Sequence, residues 1–154
     1  MSFYYTIPVV VEAELAEARR TLGAGMARIL GYYEEDGAKS IGQVERALAE
    51  GNAAAMVIPA HTLKGESRQF GAKRLGDLAE AIEKTARRCV EEHTSPSEVA
   101  AEVAMLRGCF SETLAILRTA AAPHSPATSQ AHPTAVSRPS PFGSGPRTFG
   151  RRTG

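Results

Sequence analysis

The chain has 154 residues, 43% of them hydrophobic, no tryptophan and a formal net charge of +1. That length suits one domain with a single core of Leu, Ile, Val, Ala and a few aromatics, and no apolar run is long enough to span a bilayer. The opening MSFYYTIPVVVEAE lacks the basic start and small-residue cleavage site of a signal peptide, and Cys89 and Cys109 make no ligand pattern with each other or with a histidine. A soluble cytoplasmic protein with buried free thiols and no bound metal is therefore expected.

From about residue 10 to about residue 120 the apolar spacing is helical, with nothing that alternates like a strand. Val11, Leu15, Ala18 and Leu22 form a first stripe, expected as a short leading helix over about 10 to 20, and Met26, Ile29, Leu30 and Tyr33 extend it. Ile41, Val44 and Leu48 form the next. Asp36-Gly37 could stop a helix there, with Ser40 capping a new one through Gln43, so a break is left open. Gly51-Asn52 pairs a left-handed stop with an N-cap residue, which predicts a tight antiparallel turn. Gly71 should end the following helix, and another starts at about Ala72, carrying Leu75, Leu78, Ile82 and Cys89 on one side. Ser95-Pro96-Ser97-Glu98 combines a capping box with proline at the first helical position. It opens a last helix bearing Val99, Val103, Leu106, Phe110, Leu114 and Leu117. Short connections and one-sided stripes predict an all-α, up-down antiparallel four-helix bundle over residues 1–120.

Every Asp and Glu lies before residue 121, while Arg138, Arg147, Arg151 and Arg152 lie after it. Residues 121–154 are rich in Pro, Ser, Thr and Gly and have almost no aliphatic periodicity. Too little surface can be buried there to offset ordering entropy, which predicts a disordered basic tail, a solubilising appendage in preference to a weak contact of its arginines with an acidic surface or nucleic acid.

The segment PAHTLKGESRQFGAKRL, residues 59–75, holds the chemistry. It keeps Pro59 and Gly65 around a lone His61, though in a helix interior proline costs about 3 kcal/mol and glycine about 1 relative to alanine. At about 100° per residue, Leu63, Ser67 and Phe70 fall on the side that docks into a bundle. His61, Lys64, Gly65 and Arg68 share the opposite face. An imidazole between two cations, with no carboxylate beside it, is an odd general base because nothing orients its second nitrogen. It is a sensible nucleophile toward a phosphoryl group, whose oxygens Lys64 and Arg68 would neutralise. Gly65 has no packing role on a solvent face; it leaves room for another protein to approach. Pro59 must kink the helix or free the carbonyl four residues earlier.

The run His61-Thr62-Leu63-Lys64-Gly65, with Gly71-Ala72, Leu75 and Leu78 behind it, resembles the histidine-containing phosphotransfer (HPt) domains of bacterial two-component phosphorelays. The resemblance covers about residues 10 to 120 by architecture, with the specific motif in 61–75. It implies a four-helix bundle with His61 as phospho-acceptor, Lys64 as the cation that stabilises the phosphoryl group, and Gly65 as the access glycine. Arg68 is an added cation beside them, and Thr62 and Gln69 share the partner-binding surface. Glu66 and Arg68 depart from the small residues common after the glycine. The function implied is a phosphocarrier, not an enzyme, that takes a phosphoryl group from a receiver-domain aspartate and passes it to another receiver. The receiver would bring the Mg²⁺, and no cofactor belongs to this chain. A kinase is excluded because there is no glycine-rich nucleotide site and Thr62 follows the histidine.

The reading from a different class is a helical adaptor that binds a receiver or another signalling partner through the same face and transfers nothing. It would need Gly65 but not His61. His93, in EEHTSP, is expected at a helix end, His124 and His132 in the tail make no metal spacing, and Glu80, Glu83, Lys84, Arg87 and Arg88 read as a solvated face with i,i+4 pairs. Polar outer faces argue for a monomer, with neither nucleic acid nor membrane as partner.

Overall fold

The computed structural model describes residues 3–122. Of the tail read as residues 121–154, Ala121 is helical and closes the last helix, while the residues beyond Ala122, with His124, His132 and the four arginines, lie outside the described residues. Five α-helices follow one another: α1 (Glu12–Leu22), α2 (Met26–Ala49), α3 (Ala53–Gln69), α4 (Lys73–Glu92) and α5 (Ala100–Ala121). Among the described residues there is no strand, and no helix is long and apolar enough to cross a membrane. Helices α2 to α5 pack each on the next, and α5 closes the bundle against both α2 and α4. The predicted stripes meet in one core, with Ile41, Val44, Leu63, Phe70, Leu75, Leu78, Ile82, Leu106 and Leu117 excluded from solvent. Cys89 and Cys109 are buried free thiols, and burial pushes the Cys109 thiol up to about 11.

The turns follow local chemistry. Gly51 takes φ 63°, which L side chains rarely adopt. The Asn52 side chain accepts from the Ala55 amide at 3.0 Å and so caps α3. At the other end of α3, Gly71 takes φ 76°, and a Cβ there would stand 2.8 Å from Glu14 Cβ and 3.1 Å from the Val11 carbonyl. The Gly71 carbonyl accepts from the Val11 amide at 2.9 Å, so the same glycine turns the chain and seats the leading helix. His93 ends α4 in the left-handed conformation. Pro59 is buried within α3, which continues past it from Ala53 to Gln69. Lacking an N–H, it leaves the Ala55 carbonyl without its usual helical donor.

In three dimensions one local expectation changes and one open point is decided. No capping box forms at Ser95: Ser97–Val99 is a 3₁₀ turn that leads into α5, without a side-chain cap. The glutamate the box requires is engaged elsewhere, since Glu98 takes Arg88 Nη2 at 2.6 Å. And α2 runs unbroken through Asp36-Gly37, with Ser40 buried inside the helix rather than capping one. Gly37 is there for a close crossing. A Cβ on it would lie 2.6 Å from Phe110 Cζ and 2.7 Å from Cε1.

The Phe110 ring has little room to yield, being packed edge-on to Tyr33 with 5.5 Å between centroids. Alanine's helix preference, about 1 kcal/mol over glycine, thus opposes an overpacking cost of roughly 1–3 kcal/mol. Gly37→Ala is expected to lower stability by about 1 kcal/mol net, read as a lower urea midpoint at unchanged slope. A midpoint equal to or above wild type would contradict the crossing argument.

Candidate functional site

Leu63, Ser67 and Phe70 dock α3 into the bundle, all fully buried. Ser67 Oγ lies 2.7 Å from Tyr33 Oη, and that bond ties the rotation of α3 to α2. Burial raises the Tyr33 phenol far above its ordinary value. With this side held inward, the opposite face of α3 turns to solvent. His61, Gly65, Arg68 and Gln69 are exposed, and Thr62 and Lys64 are half-buried. The His61 side chain keeps 58% of its surface. A Cβ on Gly65 would meet nothing within 4 Å.

The imidazole is not without a carboxylate, as the sequence had suggested. Glu83 Oε2 lies 3.0 Å from His61 Nδ1, and Glu83 Oε1 lies 2.7 Å from Lys64 Nζ. Arg87 donates to the same Oε2 from Nε at 3.0 Å and Nη2 at 2.8 Å. Glu83 therefore does not belong to a solvated face; its side chain keeps 6% of its surface. Burial by itself would push the carboxyl up, but the bonds from Lys64, Arg87 and His61 outweigh it and hold the group down at about 2. A carboxylate ionised at neutral pH can only accept, so the proton of the His61–Glu83 bond sits on Nδ1. In the neutral ring Nε2 then carries the lone pair. The second nitrogen is oriented after all.

Because the Glu83 carboxyl ionises more easily in the folded chain than in the unfolded one, its stabilisation is complete above about pH 4.5 and is lost as pH falls through about 2. Glu80, held near 2 by Lys84 and Arg68, titrates in the same window. Glu83→Gln removes one such contribution, so its melting temperature should fall less steeply than that of wild type between pH 5 and pH 2. Parallel curves would show that Glu83 is not coupled to folding.

Arg68 lies on the expected face, yet its guanidinium turns to α4. Nη2 meets Asp77 Oδ1 at 2.9 Å and Glu80 Oε1 at 2.5 Å. Its stem crosses Gly76, where a Cβ would come within 3.0 Å of Arg68 Cγ. Glu66, beside Gly65, is half-buried, and burial together with the Asp36 charge raises its carboxyl. No group of three or more His, Cys, Asp or Glu side chains suited to a metal occurs among the described residues.

The site thus holds an imidazole with one nitrogen bound by a carboxylate and the other on an open helix face, a lysine one turn along and a bare glycine after it. The family model described as Hpt domain matches residues 28–121. The chain belongs to the Hpt domain family. Members of that family are phosphocarriers of phosphorelays rather than kinases, and they interact with receiver domains. The Hpt bundle here superposes on the crystal structure of histidine-containing phosphotransfer protein B (HptB) from Pseudomonas aeruginosa PAO1 with a TM-score of 0.66. That likeness, at 21% identity, covers 75% of this chain and 96% of the other and shows the shared fold. No curated protein matches the sequence. Helix α1 lies outside the residues the Hpt model matches.

Two site residues, Glu83 and Arg87, escape the sequence reading. One signal was available. At about 100° per residue, Glu83 falls between Gly76 and Ala79, within the small-residue edge of the stripe that α4 buries. A carboxylate on that edge needs a partner from the neighbouring helix. An i,i+4 pairing pattern points outward instead.

Proposed function

We propose that this Hpt chain carries a phosphoryl group on His61 Nε2, taken from the aspartyl phosphate of one receiver domain and passed to the aspartate of another. The observation that carries this reading is the Glu83–Nδ1 contact. It leaves Nε2 as the nucleophile on an exposed face. In the accepting step the Nε2 lone pair attacks phosphorus, an N–P bond forms, and the P–O bond to the aspartate carboxylate breaks. The Nδ1 proton stays in place, and Glu83 balances the positive charge that develops on the ring. Lys64, on a flexible stem, can move from Glu83 Oε1 to the phosphoryl oxygens while Arg87 continues to neutralise Glu83. Arg68, engaged by Asp77 and Glu80, acts by pinning α3 to α4. Thr62, Gly65 and Gln69 lie beneath the docked partner, whose own acidic site brings Mg²⁺. The run back to a second receiver reverses each bond change.

The experiment is to mix the protein with a receiver domain carrying labelled phosphate and follow the label. Transfer to an acid-labile, alkali-stable adduct on His61 is expected. Receiver binding without any label uptake would favour the adaptor reading instead.

A further inference from the structure

The pairing behind His61 also bears on the fate of a phosphoryl group once it has arrived. Glu83 keeps only 6% of its side-chain surface and is ionised throughout the neutral range, held down at about 2. Its Oε2 lies 3.0 Å from His61 Nδ1 and accepts twice from Arg87, while Oε1 faces Lys64 Nζ at 2.7 Å. When Lys64 turns to the phosphoryl oxygens, Oε1 loses its cation. Arg87 and the Nδ1 proton are then what neutralise a carboxylate that water barely reaches. Removing the proton as well would leave a buried ion short of a partner.

The other charged groups around the ring do not replace Glu83. Lys64 on α3 and Arg87 on α4 are cations, and Arg68 is engaged by Asp77 and Glu80, with Lys84 on Glu80. Towards α2, Glu66 faces the Asp36 charge, and Arg46 and Glu50 line a groove beside Ile58 and Pro59. Among the described residues no other carboxylate bonds the ring. A phosphorylated imidazole in water, like histidine itself, is largely without its extra proton above about pH 7. Here the proton has a reason to stay. With Nδ1 protonated, cleavage of the N–P bond returns the electron pair to Nε2 of a neutral imidazole. Without that proton the leaving group is an imidazolate, a much stronger base and a poorer leaving group.

We propose that Glu83 holds the Nδ1 proton on phosphorylated His61 and so keeps the adduct quick to pass on and short-lived, making this chain a conduit between receivers rather than a store of phosphate. The inference rests on the phosphotransfer reading above. In onward transfer an aspartate oxygen attacks phosphorus, the new P–O bond forms, the N–P bond breaks and neutral imidazole leaves. With no receiver docked, water attacks instead and inorganic phosphate departs with the water's proton. The His61 side chain keeps 58% of its surface, so water has access. In the unfolded chain, away from Glu83, the adduct needs acid to supply the same ring proton, and there it is acid-labile and alkali-stable.

The test labels the full chain with the small donor phosphoramidate, removes the donor, and follows loss of label from pH 6 to pH 9 with and without a receiver domain. Glu83→Gln keeps the length and bonding of the side chain but not its charge. In wild type the rate of loss should stay nearly level up to pH 8. In Glu83→Gln it should fall as pH rises, leaving the adduct about tenfold longer-lived at pH 8. Onward transfer from the preloaded variant at saturating receiver should slow by a similar factor, with the half-saturating concentration unchanged. Glu45→Gln, which removes a carboxylate paired with Arg107 of α5, should behave as wild type. A second measurement needs no variant: by nitrogen NMR, Nδ1 of phosphorylated wild type should still carry its proton at pH 8. Equal lifetimes in wild type and Glu83→Gln, or loss of the Nδ1 proton from phosphorylated wild type below pH 7, would overturn the proposal and leave phosphotransfer standing. Failure of wild type to take label from phosphoramidate or from any receiver would remove the phosphotransfer reading, and this inference with it.

Discussion

His61→Gln is expected to abolish phosphoryl acceptance, from receiver domains and from phosphoramidate alike. A carboxamide nitrogen has no basic lone pair to attack phosphorus, whereas imidazole Nε2 has one whenever Nδ1 holds the ring's proton. The fold should survive. The side chain is largely exposed, and a glutamine amide can still donate to Glu83 from a similar position. The melting temperature should stay within a few degrees of wild type, so the loss will be chemical rather than structural. His93→Gln serves as the control. His93 caps α4 in the left-handed conformation, away from the cations that surround His61, and its replacement should leave labelling at wild-type level. Labelling of His61→Gln to the wild-type extent would remove this residue as phospho-acceptor.

Gly65→Gln should show opposite signs for stability and for transfer. Nothing lies within 4 Å of where its Cβ would stand, so the added side chain meets no clash within the chain. Glutamine also favours helix over glycine, and stability should rise by roughly 0.5–1 kcal/mol. Transfer from a receiver should nevertheless fall on the order of a hundredfold. The new side chain would stand one turn from His61 on the same face and hold the donor aspartate out of line. A misplacement of about 1 Å can cost that much in rate. Phosphoramidate, which needs no docked protein, should label the variant almost as it labels wild type. A more stable Gly65→Gln protein with wild-type receiver transfer would rule out the access role and leave the glycine without a reason.

The contrast between Gly65 and Gly37 separates what local pattern reveals from what it hides. Both are glycines inside helices, and both cost helix stability. Gly65 could be understood from its neighbours, because His61 and Lys64 lie within one turn and the face is set by Leu63, Ser67 and Phe70. Gly37 could not, because the ring it accommodates belongs to Phe110 in another helix. Seen along the chain it was as compatible with a helix stop as with a helix crossing. The capping box at Ser95 failed for a related reason. Its glutamate had a stronger partner, Arg88, supplied by α4.

The amino-acid sequence by itself determined the all-helical class, the stop at Gly51 and Gly71, the cap at Asn52, and the outward face carrying His61, Lys64 and Gly65. These follow from a period of 3.6 residues and from backbone preferences that act over a few residues. Tertiary structure alone decided what stands behind the imidazole. Glu83 lies 22 residues from His61, and only the antiparallel return of α4 beyond Gly71 brings the two side chains together. Burial then makes that carboxylate dependent on Lys64, Arg87 and His61, because an ion removed from water must be neutralised by its neighbours. The proposal that Nε2 is the attacking nitrogen rests on that pairing.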